Sequence, residues 1–102
     1  MTPEHDLYTS IGQGLAGAEA GQLFGKPCFK VKGKAIICFF RNEMVFKLNG
    51  DLHAEALALD GAQLFDPSGK HRPMKEWVQV PFHYKDSWRK YAKGALHYAN
   101  GK

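Results

Sequence analysis

Only two cysteines occur in the 102 residues, at positions 28 and 38, and neither belongs to a CxxC pair. That count excludes a disulfide-stapled scaffold and a cysteine-rich zinc module. The five histidines, His5, His53, His71, His83 and His97, never fall four apart, so the two-histidine helix face of many metal enzymes is missing too. No apolar run is long enough to span a bilayer or to form a signal-peptide core. The expectation is a cytoplasmic protein with no membrane partner, no metal and two reduced thiols. A Cys28–Cys38 bridge would depend on hairpin register, and an even-numbered loop between their strands would put them on opposite faces.

Catalytic patterns are equally sparse. Ser10, Ser68 and Ser87 lie in no nucleophile-elbow motif, and no carboxylate pair stands out for acid–base work. Gly12, Gly14 and Gly17 spell GxGxxG, but a dinucleotide fingerprint needs a strand before it, and here the preceding residues have helical spacing. Ser68-Gly69-Lys70 echoes a phosphate loop without its first glycine, and His71 stands where Ser or Thr should follow the lysine. No catalytic residue and no cofactor is assigned, and a non-enzymatic role is expected.

Apolar residues at 44% against charged residues at 24% fit a globular chain, and the length fits one domain spanning 1–102. Thr2 is a candidate N-cap with Pro3 behind it, and Leu7, Ile11 and Leu15 recur at fours, which predicts a helix ending near Leu15. Residues 16–21 read as a small-residue connector. Phe29 and Val31 then alternate with Lys30 and Lys32, a turn follows at Gly33, and Met44, Phe46 and Leu48 alternate with Val45, Lys47 and Asn49. This is a three-stranded meander whose middle strand, around Ile36–Phe40, is apolar on both faces. A short helix carries Leu52, Ala56 and Leu59; a second hairpin runs from Leu64 to Val80; a last helix places Trp88, Tyr91, Ala92, Ala95 and Ala99 on one stripe. The predicted class is α+β, with a single antiparallel sheet of about five strands and helices on one face, in the order α-β-β-β-α-β-β-α.

Charge is distributed by segment. Residues 26–50 carry Lys26, Lys30, Lys32, Lys34, Arg41 and Lys47 against Glu43, and residues 70–102 carry eight cations against Glu76 and Asp86; the intervening segment is acidic, and the whole chain stands at +4. Folding the two basic segments together would build a cationic face suited to a polyanion. Lys30, Lys32, Lys70, Arg72 and Lys75, on and around the two hairpins, are the candidate nucleic-acid contacts, the first four on positions that alternate away from the apolar face.

The stretches LFGKPCFKVKGKAIICFF (23–40), MVFKL (44–48), LFDPSGKHRPMKEWVQVP (64–81) and WRKYAKGALHYA (88–99) together resemble the YjbR-like superfamily, which includes the TfoX N-terminal domain. Phe24, Gly25, Gly33, Lys34, Lys47, Leu48, Gly69, Lys70, Met74, Lys75, Trp77, Val78 and Pro81 carry the likeness. The resemblance implies a compact α+β domain with an antiparallel sheet, of a kind found mostly in small bacterial proteins without assigned activity. The TfoX branch is associated with competence regulation, DNA binding has been suggested for YjbR-like domains, and the family supplies no catalytic residues. The function expected is a small binding or regulatory domain contacting nucleic acid or a protein through its basic hairpins. The alternative is a small-molecule binder or enzyme with a pocket between sheet and helices.

Overall fold

The computed structural model describes residues 2–23, 25–66 and 73–101. Helix α1, Pro3–Gln13, starts where Thr2 is extended and its hydroxyl accepts the His5 N–H at 3.1 Å, with Glu4 and Asp6 in the first turn favouring the positive helix end. It stops at Gly14, and Gly17 at φ 77° turns the chain into a strand. That strand, β1 (Ala18–Leu23), corrects the expected connector over 16–21. Ala, Gly and Gln have little strand propensity; the strand is held instead by an unbroken ladder to β2 (Lys26–Val31), running from Leu23 opposite Lys26 to Ala18 opposite Val31. Among the described residues the sheet therefore has six strands rather than about five.

The expected meander follows as β2, β3 (Lys34–Phe40) and β4 (Glu43–Lys47), with β3 central. Both connections are two-residue turns with positive φ throughout: Lys32 at 53° and Gly33 at 80°, then Arg41 at 52° and Asn42 at 63°. This is the turn geometry that matches strand twist. Helix α2 (Gly50–Leu57) leads to β5 (Gln63–Phe65), and β6 (Met74–Val80) inserts between β4 and β5, giving the order β1-β2-β3-β4-β6-β5 with every pair antiparallel. A 3₁₀ turn at Phe82–Tyr84 precedes helix α3 (Lys85–Ala99). No described helix is long and apolar enough to cross a membrane.

One irregularity sets the packing. Phe29 pairs with Ile37 while Lys30 pairs with Ala35, so Ile36 has no partner on β2. Ile36 and Ile37 are both fully buried in the core that also contains Tyr8, Ile11, Phe46, Val78, Trp88 and Tyr91. The same extra residue shifts Cys38 opposite Cys28. The intervening turn is even-numbered, and alone it would have separated the two thiols; the bulge reverses that outcome.

The opposite face is not the solvated surface that the alternation of Lys30 and Lys32 suggested. Cys28, Cys38, Val45, Phe65 and Trp77 form a second buried cluster there, joined by Leu23, Ala35, Phe40 and Met74. Within the strands Gln79 is also buried, and its amide donates to Glu43 Oε1 at 2.6 Å. Both tryptophans pack inside the domain but in different clusters: Trp77 in this one, Trp88 under the helices with its indole N–H donating to the Pro81 carbonyl at 3.2 Å.

Gly12 faces the Phe29 ring so closely that an added Cβ would lie 2.1 Å from it. Gly12→Ala should therefore lower stability by about 1–3 kcal/mol despite alanine's better helix propensity, measured by urea denaturation; a stabilised variant would contradict this packing.

Helices α2 and α3 are tied by Glu55, which accepts from the Tyr91 hydroxyl at 2.9 Å and from Lys90 Nζ. Both hydrogen bonds hold the Glu55 carboxyl below its usual range, the one from Lys90 most, but the Lys90–Glu55 pair is half exposed and adds little stability. Burial, and then the bond to Glu55, push the Tyr91 phenol up to about 12, and burial raises Tyr8 further. A phenol harder to ionise when folded stabilises fully below its unfolded value near 10 and loses that contribution as pH climbs through the folded one. Stability should fall from about pH 10 upward, with Tyr91 accounting for on the order of 1–2 kcal/mol of the loss after solvent screening, so Tyr91→Phe should flatten the alkaline slope of the urea midpoint. An identical slope in that variant would contradict the assignment.

Candidate functional site

Strand direction decides where the cations gather. β3 begins just after the Lys32-Gly33 turn, β4 runs back to end at Lys47, and β6 starts at the same end because Lys47 pairs with Trp77 and the Leu48 N–H donates to the Glu76 carbonyl at 2.8 Å. Lys32, Lys34, Lys47 and Lys75 consequently share one end of the sheet. Lys32, Lys34 and Lys75 are exposed and Lys47 is half-buried. His53 on α2 donates from Nε2 to the Lys75 carbonyl at 2.8 Å, which fixes the start of β6 against that helix.

Helix α3 ends over the same region. Lys34, Lys47, Ala35, Ile36, Tyr98 and Ala99 line a depression of about 170 Å³. The Lys47 ammonium lies 6.0 Å from the Tyr98 ring centroid. The Tyr98 hydroxyl donates to Glu76, and that bond, more than burial, raises the Tyr98 phenol above its ordinary value. Glu76 is thus engaged by Tyr98 rather than by the lysines in this geometry. Two ammonium groups beside a small, partly apolar depression suit one phosphate group with a sugar or base against the ring.

Of the residues singled out from sequence, Lys32 and Lys75 lie at this end of the sheet. Lys30 stands opposite Ala35 near the same end, but its side chain is directed away: it is half-buried on the second apolar face, its stem lying across Gly21, where a Cβ would meet Lys30 Cε at 3.2 Å. Its packing fits an aliphatic stem covering apolar surface with the ammonium at the rim. Lys70 and Arg72 lie outside the described residues. Lys34, Lys47 and Tyr98 were missed; the signal for the first two was their position directly after one turn and at the end of the next strand, which antiparallel pairing brings together.

A second concavity, about 470 Å³, opens between α1 and the β1–β2 edge. His5, Thr9 and Gln13, spaced by four on α1, line one wall, and Ala20 and Phe29 line the other. Tyr8 also borders it, and its buried hydroxyl has no hydrogen-bond partner among the described residues. No group of three or more His, Cys, Asp and Glu side chains is close enough to hold a metal ion among the described residues.

No protein-family profile, curated protein or solved structure matches the chain.

Cys28 and Cys38 face each other as free, buried thiols. Burial pushes both thiols up, offset slightly at Cys28 by Lys30, so neither supplies thiolate at neutral pH. Ellman's reagent at about pH 8 should leave the native protein unmodified and label both cysteines in urea; fast labelling of the folded protein would contradict their burial.

Proposed function

We propose that this chain is a small binding module that holds the phosphate backbone of nucleic acid on the basic end of its sheet, with the Lys34–Lys47–Tyr98 depression seating one phosphate. The observation that carries this reading is the shared end: the β2–β3 turn, the end of β4 and the start of β6 each deliver a lysine to it. Phosphate contacts made by lysine act as point charges, are indifferent to sequence and weaken with salt. The α+β architecture is the one that the YjbR-like resemblance implies, and a DNA-binding role is in keeping with that resemblance.

The α1 groove supports a second reading, a small-molecule site, because the unpartnered Tyr8 hydroxyl borders it. The two readings diverge in one experiment. Fluorescence anisotropy with a labelled random duplex and a single-stranded RNA at about 50 mM salt should show binding, with log K falling by about 0.9 per neutralised duplex phosphate as log salt rises. Lys32→Glu with Lys75→Glu should weaken binding at least about tenfold and reduce the salt slope by roughly two, while Tyr8→Phe leaves it unchanged. No anisotropy change for the wild-type chain at that salt would overturn the nucleic-acid reading.

A further inference from the structure

The two edges of the sheet are guarded unequally. β5 is three residues long, one of the ways natural sheets blunt an edge. β1 is six residues long, contains neither proline nor lysine, and meets β2 without a bulge. Two residues separate Leu23 from Lys26, so that pair closes the hairpin by exchanging both backbone bonds. Alternation back along the ladder gives Gly21 and Glu19 to β2 and turns the N–H and C=O groups of Gln22, Ala20 and Ala18 outward. The Ala18 N–H fits this assignment, since it donates to the Leu15 carbonyl at 3.2 Å. No described strand lies beyond the others.

We propose that β1 pairs antiparallel with β1 of a second copy of this chain, about a two-fold axis at Ala20. An axis normal to the sheet keeps the helices of both copies on one side, and it sets Ala20 opposite Ala20 and Ala18 opposite Gln22. The outward groups then bond across the axis, Ala20 N–H to Ala20 carbonyl and Gln22 N–H to Ala18 carbonyl, each made twice, while the Gln22 carbonyl stays at the rim because the Ala18 N–H is spent on Leu15. Charge selects this register. Within each chain Glu19 stands opposite Lys30, whose stem leans along the strand across Gly21; the second copy's Glu19 comes opposite that Gly21, so each ammonium meets a carboxylate from either chain. The neighbouring symmetric register would oppose Gly21 to Gly21 and bring Lys30 against Lys30. On the helix side, the small side chains of Ala18 and Ala20 border the α1 groove, so the backbones can approach and the two grooves face each other across the axis.

Sedimentation equilibrium of the full chain should give twice its 11.4 kDa by about 500 µM. Ala20→Pro removes an N–H that β2 does not use, so it should keep the circular dichroism and melting of the parent yet sediment as a monomer. Glu19→Lys should weaken dimerisation at least about tenfold, and Glu19→Lys combined with Lys30→Glu should restore it. Should Ala20→Pro fail to fold, the charge pair decides. A wild-type chain that remains monomeric over that range, a folded Ala20→Pro that still dimerises, or a charge swap without effect would overturn the proposal.

Discussion

The extra residue at Ile36 is the constraint on which the rest of the structure depends. In an antiparallel ladder every side chain's face is fixed by register, and a shift of one residue exchanges the faces. With Ile36 unpaired, Ile36 and Ile37 both reach the helix-side core, while beyond the bulge Cys38 aligns with Cys28 and contributes to the opposite cluster. Without it, the strand that must be apolar on both sides would carry its side chains out of step with β2 and, through β3, with β4 and β6.

The bulge also reconciles two needs of a small domain. A chain of 102 residues has little interior to spare, and covering one face alone would leave Trp77, Phe65 and Phe40 as an exposed apolar patch. Instead the far face gathers a second cluster, with Lys26 and Arg41 resting over the Phe40 ring at 5.2 and 5.0 Å. Lys30 belongs to the same arrangement as a stem over Gly21. Lys26 and Lys30 on this face therefore finish the packing, whereas Lys32, Lys34 and Lys75 at the sheet end are exposed, as phosphate contact requires.

What was legible in the sequence follows from which interactions are local. The N-cap at Thr2 with Pro3, the alternation through Phe29–Leu48, and the stripe on α3 are set by near neighbours, and each element stands where its pattern put it. β1 was illegible because Ala18–Leu23 has no strand composition of its own and owes its state to a ladder with β2. The second apolar face was legible only in part: the middle strand read as apolar on both faces, but Phe65 and Trp77 come from the late hairpin, and only β6 inserting beside β4 brings them to Val45. The candidate site was half legible. Lys32 and Lys75 stood out as hairpin cations, but Lys34, Lys47 and Tyr98 join them only through strand order and the length of α3.

The proposed function inherits the β2–β3 register, since it orients the lysine-bearing turn. Alternation from the Val31–Lys34 closing pair makes Cys28 and Cys38 a directly opposed pair without mutual backbone bonds, the arrangement in which α-carbons approach most closely, to about 4.5 Å. The most direct test is a proton NMR measurement of the cross-strand contact between their α-hydrogens. A strong Cys28–Cys38 α-hydrogen Overhauser effect is predicted; one between Cys28 and Ile37 in its place would mean that Ile36 is paired, and would contradict the account.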